Sequence, residues 1–244
     1  MQEQFATDGY ALVRKVSLVR NGRKTAIQSV GMRDGLLSVF YHDSLVQTYK
    51  DGKMVEEYAP AEGGLFHAND CDAADRNYWI CDTGTNEVPP MIKLFDPDSR
   101  KVLGSWNVGQ EGWRTAAVTE DGKGKLLVVS VQSVDSHIRT EMLVSSFDPT
   151  SGKAEMIGKV PMHHRFVQGC SREGDTLWIS SNDGRDSATT RFVCVSLPSC
   201  AILKDLHFKG FGEAEGMFRL DDGSFLVGRN HEDGYVYLLE KQND

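Results

Sequence analysis

One phrase recurs five times along the chain: a short apolar stretch, an acidic or glycine-containing turn, and a second apolar stretch that ends in polar residues. The copies occupy residues 26–40, 66–82, 113–130, 166–181 and 213–228. Their turns read Met32-Arg33-Asp34-Gly35, Ala74-Asp75-Arg76-Asn77, Glu120-Asp121-Gly122-Lys123-Gly124, Arg172-Glu173-Gly174-Asp175 and Leu220-Asp221-Asp222-Gly223. A unit of roughly 40–50 residues made of several short strands buries its apolar face only by stacking on its neighbours, and a ring of such units is a β-propeller. The expected fold is all-β: a five-bladed β-propeller running as a single domain over residues 1–244.

The second copy serves as the guide. Residues 66–72 and 78–82 read as an antiparallel pair, 91–95 as a third strand, and 101–106 as a fourth after the Asp96-Pro97-Asp98-Ser99 turn. The fifth copy is one strand short, because the chain ends soon after the strand at 235–239. The apolar stretch 10–19 belongs to no copy. An N-terminal strand completing the last blade therefore closes the ring and removes the edges that an open array would leave exposed.

Composition narrows the partners. The 24 glycines suit a chain full of tight turns. A net charge of −8 with no run of Lys or Arg argues against nucleic acid, and no apolar run reaches the length of a membrane span, so the expected partner is a neutral or cationic small molecule. Met1-Gln2-Glu3-Gln4 does not open a signal peptide, which suits a cytoplasmic chain, although a processed secreted chain would read the same. The five cysteines are odd in number and lack C-x-x-C spacing, so they form neither a disulfide framework nor a zinc finger. Cys71 and Cys170 occupy matching repeat positions and read as small core residues.

Superposing the copies on their turns brings Gln28, Asn69, Thr115, Gln168 and Glu215 to one position near the start of each inner strand. Ala26, His67, Trp113, Phe166 and Glu213 lie two residues earlier; Val30, Cys71, Ala117, Cys170 and Met217 lie two later. Residues two apart share a strand face, so the alternation predicts an ionisable rim, a polar ring and an apolar floor around one axis. The loops on the rim side hold His42, Asp43, Asp82, His137, His163, His164, Arg165, Asn182, Asp183, Arg229 and His231. Binding loops gathered at one edge of a rigid scaffold mark that end as the site.

Several chemistries fit these residues. Asn69, Glu215, Gln28 and Gln168 offer oxygens to a hard divalent cation such as Ca²⁺, with His67 as the base for an activated water; the same groups also suit a channel of ordered water. Glu213 and Glu215 fall within reach of each other, either as an acid–base pair or as two solvated carboxylates. Trp113, Arg114, His164, Arg165, Gln168, Asp183, Arg229 and His231 are the candidates for contacting substrate.

Two families resemble parts of this chain. His67-Ala68-Asn69-Asp70 followed by Tyr78-Trp79-Ile80-Cys81-Asp82-Thr83-Gly84, and Ala214-Glu215-Gly216-Met217 followed by Asp222-Gly223, resemble blade phrases of the regucalcin/gluconolactonase and NHL-type propellers. That resemblance implies metal-dependent lactone or ester hydrolysis, with Glu215 and Asn69 on the cation; the Asp that completes the set in that family has no counterpart in the aligned ring, which holds Gln or Thr there. Phe166-Val167-Gln168-Gly169, Asp175-Thr176-Leu177, Ser180, Ser187, Arg191 and Phe211-Gly212-Glu213 resemble the five-bladed glutamine cyclotransferases. That resemblance implies Gln168 and Glu213 or Glu215 in the active site, although the phrase here opens the fourth blade and Ala214-Glu215 is an insertion. Three functions follow: a small-molecule hydrolase of lactones or esters using a divalent cation, which the polar ring favours; a glutamine cyclotransferase-like acyl transferase; and a non-catalytic ligand-binding propeller.

Overall fold

The computed structural model describes residues 4–19, 26–61, 64–83, 89–132, 140–162, 164–183, 189–231 and 234–242. The chain opens with β1 (Gln4–Thr7) and β2 (Tyr10–Ser17). Blade 1 is β3 (Ile27–Arg33), β4 (Leu36–Tyr41), β5 (Val46–Lys50) and β6 (Lys53–Tyr58). Blade 2 is β7 (Ala68–Ala74), β8 (Asn77–Asp82), β9 (Met91–Asp96) and β10 (Lys101–Trp106). Blade 3 is β11 (Trp113–Glu120), β12 (Leu126–Gln132), β13 (Glu141–Asp148) and β14 (Lys153–Pro161). Blade 4 is β15 (Phe166–Glu173), β16 (Thr176–Asn182), β17 (Thr189–Ser196) and β18 (Ile202–Lys209). Blade 5 starts with β19 (Ala214–Arg219), β20 (Phe225–Arg229) and β21 (Tyr235–Lys241).

Each blade is an antiparallel meander, and the five are arranged as a propeller ring. The last blade is completed by the N-terminus: β2 pairs with β21, with Leu12 opposite Leu239, and β1 adds a fifth strand beyond it. The closing strand is the one expected. β1 is an addition, anchored by Phe5 edge-on against Phe211 at 5.3 Å. Tight hairpins follow from residues that tolerate positive φ: Asp34 and Gly35 stand at 50° and 74° in the first β3–β4 turn.

The core is not central. It is divided into five apolar clusters, one between each pair of neighbouring blades. Phe218, Leu226 and Leu238 of blade 5 pack on Val30, Val39 and Tyr49 of blade 1, so the last interface is built like the other four. Cys71 and Cys170 lie in these clusters, and all five cysteines are buried free thiols.

The inner strands β3, β7, β11, β15 and β19 ring the axis. Every one of them breaks register with its partner at the same tier: between Ile27 and Ser29, Ala68 and Asp70, Thr115 and Ala117, Val167 and Gly169, and Glu215 and Phe218. These bulges bend the strands and leave residues out of the ladder. Inter-strand spacing there is close. A Cβ built on Gly169 would lie 2.6 Å from the backbone carbon of Gly216, and backbone cannot rotate away. Gly169→Ala is therefore expected to cost about 1–3 kcal/mol. A thermal midpoint equal to wild type would contradict that packing.

Candidate functional site

A well of about 580 Å³ opens on the axis, lined by residues from all five blades. Gln28, Asn69, Thr115, Gln168 and Glu215 all face it, so the five aligned positions converge. His42, Phe66, His67, Arg114, Phe166, Glu213 and Asn230 form much of its wall.

The depth of the ring departs from simple alternation. Val30, Cys71, Ala117, Cys170 and Met217, the expected floor, are fully buried between blades and do not line the well. The bulge advances the strand by one residue, so in β7 it is Asp70 that points along the axis. Its Oδ2 accepts the backbone N–H groups of Val118 and Cys170, both at 3.0 Å, and Oδ1 accepts that of Met217 at 3.4 Å. An inner strand is an edge strand, with one row of N–H and C=O groups that no ladder satisfies. Asp70 serves that row in blades 3, 4 and 5 at once. Its neighbour Asn69 donates Nδ2–H to the carbonyls of Ala116 and Val167 at 2.7 and 3.2 Å. Burial pushes the Asp70 carboxyl well above the usual range, against the pull of its three N–H partners.

On the blade 4–blade 5 side, Gln168 joins two carboxyl groups. Its Nε2 donates to Glu213 Oε1 at 2.9 Å and to Glu215 Oε1 at 3.3 Å, and Asn230 donates to Glu213 Oε2 at 2.6 Å. Glu215 is 2% exposed, and its Oε2 has no hydrogen-bond partner. Burial first, then the adjacent Glu213 carboxyl, which also bonds it, drive Glu215 well above the ordinary carboxylate range. Gln168 thus bridges the two carboxyl groups, and their surroundings favour the protonated form of Glu215.

On the blade 2–blade 3 side, Arg114 donates to the carbonyl of Thr83 at 2.9 Å. His67 stacks edge-on against His42 at 4.8 Å. Burial, reinforced by the neighbouring His42 and Arg114 and only partly opposed by Asp82, lowers His67 to about 4. It is neutral at physiological pH, so it can accept a proton, but only as a weak base. Asp82 holds the entry to β7, accepting Phe66 N–H and His67 N–H at 2.9 and 2.8 Å while pairing with the buried Lys93 at 2.7 Å.

Six expected substrate contacts do not line the well. Arg229 turns into blade 5, donating to the carbonyl of Phe211 at 2.5 Å and to the Tyr237 hydroxyl at 3.1 Å, with its guanidinium over the rings of Phe5, Phe211 and Tyr237. Trp113 lies under the Lys159 ammonium. His164 Nδ1 stands 3.3 Å from Asp183, whose carboxylate also accepts the Arg165 N–H, and the Arg165 guanidinium covers Phe166. His231 is exposed. His137 and His163 lie outside the described residues.

The amides among the expected cation ligands bond through their nitrogens, which leaves their oxygens toward the well. Gln28 Nε2 donates to the carbonyl of Ile27, Asn69 Nδ2 spans two blades, Gln168 Nε2 holds the carboxyl pair, and burial favours the acid form of Glu215. A hard cation favours ionised carboxylates, and Glu215 is the one carboxyl group in this set. Among the described residues no cluster of three or more His, Cys, Asp or Glu side chains is placed to hold a metal ion.

No protein-family profile matches the chain, and no curated protein matches it in sequence. Solved structures do share its fold. The glutaminyl cyclase of Myxococcus xanthus is 10% identical, with a TM-score of 0.60 and 95% of both chains covered. The WD40 β-propeller domain of Doa1 is 13% identical, with a TM-score of 0.52, covering 96% of this chain and 76% of that one. At these identities the likeness is one of fold. The described residues contain no helix long and apolar enough to cross a membrane.

Proposed function

We propose that the well is the active site of a metal-independent acyl transferase that cyclises a substrate bearing a free amine and a carboxamide, as an N-terminal glutaminyl group does. The Glu213–Gln168–Glu215 cluster carries this reading: two carboxyl groups bridged by Gln168 that face the well, with burial favouring the protonated form of Glu215. In such a pair one group is the acid and the other the base. The substrate amine attacks the carboxamide carbon, a C–N bond forms, and the ionised carboxyl takes the amine proton. The protonated carboxyl then delivers its proton to the departing nitrogen as the original C–N bond breaks, so ammonia and a lactam leave and the pair regains its starting protonation. The fold likeness to a protein described as a glutaminyl cyclase, and the blade 4 phrase around Gln168, support the same reading.

The test is ammonia release from glutaminyl peptides, with and without EDTA. Release that is undiminished by the chelator is expected. Release abolished by EDTA and restored by Ca²⁺ would favour a cation-dependent hydrolase, and no release from any glutaminyl substrate would remove the cyclisation reading.

A further inference from the structure

The well is electrically two-ended. The carboxyl pair stands at the start of β19, with Glu213 just before it and Glu215 on it, and Arg114 stands on β11; β15 separates these strands in the ring. Arg114 is the only Lys or Arg among the described lining residues, and no ion pair holds it among the described residues. Asp82, a carboxylate on the blade 2 side, is already engaged by Lys93 and by two backbone N–H groups. Beside Arg114, Thr115 is 1% exposed and lines the well, yet its Oγ1 has no hydrogen-bond partner. A buried hydroxyl left unpaired costs free energy unless a ligand or water completes it. A guanidinium that among the described residues bonds one carbonyl only, in the same well as an uncommitted buried hydroxyl, supplies the donors of a carboxylate site.

We infer that Arg114 and Thr115 bind a free carboxylate, so that the substrate is a short zwitterionic molecule such as a glutaminyl dipeptide rather than the end of a long chain. The inference rests on the reading of the well as a substrate site and adds the second anchor. The amine end lies against Glu213 and Glu215, and the carboxylate end lies against Arg114. A cavity of about 580 Å³ has room for a ligand of that size.

Glutaminyl-glycine and its C-terminal amide separate the possibilities. Wild type is expected to favour the acid over the amide by roughly 10–100-fold in kcat/KM, chiefly through KM, as one charge-assisted contact supplies. Arg114→Gln is expected to bring the acid-to-amide ratio near one, and Arg114→Lys to restore part of it. Because the ratio is internal to each variant, partial misfolding does not imitate this result. Equal use of acid and amide by wild type, or an unchanged ratio in Arg114→Gln, overturns the carboxylate site and leaves cyclisation standing. If neither peptide turns over, calorimetry with glycylglycine and glycylglycinamide decides: tighter binding of the acid supports the site without the reaction, and equal or absent binding of the acid overturns it.

Discussion

Glu215→Gln is expected to reduce turnover of glutaminyl substrates by roughly 10²–10⁴-fold, the range for loss of a positioned acid–base group. The side chain keeps its shape and its reach to Gln168, so substrate binding falls far less than kcat. Glu213→Gln should cost a similar factor. The double variant should be no worse than the poorer single one, because groups that pass one proton between them act as a unit. Additive losses, or a Glu215→Gln enzyme within a few-fold of wild type, would exclude the pair as the proton relay.

The same substitution carries a signature in stability. The native carboxyl of Glu215 is raised above its unfolded value, so the folded state binds its proton more tightly. That contribution is fully present below the unfolded pKa, about 4.3, and is lost as pH rises toward the native value. Glutamine does not titrate. The thermal midpoint of Glu215→Gln should match wild type near pH 4 and exceed it increasingly toward neutral pH. A variant less stable at pH 7 than at pH 4, relative to wild type, would mean that Glu215 is ionised and paired in the native protein.

Much of this site is legible before any coordinates. Gln28, Asn69, Thr115, Gln168 and Glu215 line one cavity because each stands the same distance from its hairpin turn, and repeated turns fix equivalent depths. The floor is not legible from a two-residue period, because a bulge in every inner strand advances the phase by one. A signal does exist: the positions after the polar ring read Ser29, Asp70, Ala116, Gly169 and Gly216, four small residues and one aspartate. Rim residues are less legible. A loop position shows which end of the ring Arg229 occupies but not whether its head turns to the axis or back into the blade. Three aromatic rings, one of them from the added strand β1, draw it inward. His67 reads as a base by residue type alone, and only its burial beside Arg114 and His42 shows it to be neutral.

Asp70 leads to the second large effect. Those four small residues leave space at the axis for one side chain, and blade 2 supplies it. Asp70→Ala removes the acceptor for three buried N–H groups belonging to three different blades. Each stranded donor costs about 1–3 kcal/mol, and relief from burying a carboxyl offsets part of the sum, so a net loss of about 3–5 kcal/mol is expected by chemical denaturation. Asp70→Asn separates acceptor geometry from charge. Its single carbonyl oxygen can still receive Val118 and Cys170, and its amide would face only the longest contact, Met217 at 3.4 Å. That variant should lose about 1 kcal/mol. If asparagine is as damaging as alanine, the ionised charge rather than the shared acceptor holds the axis. If alanine is nearly neutral, the inner strands are held by the five inter-blade clusters alone, and the well keeps its shape without a central tie.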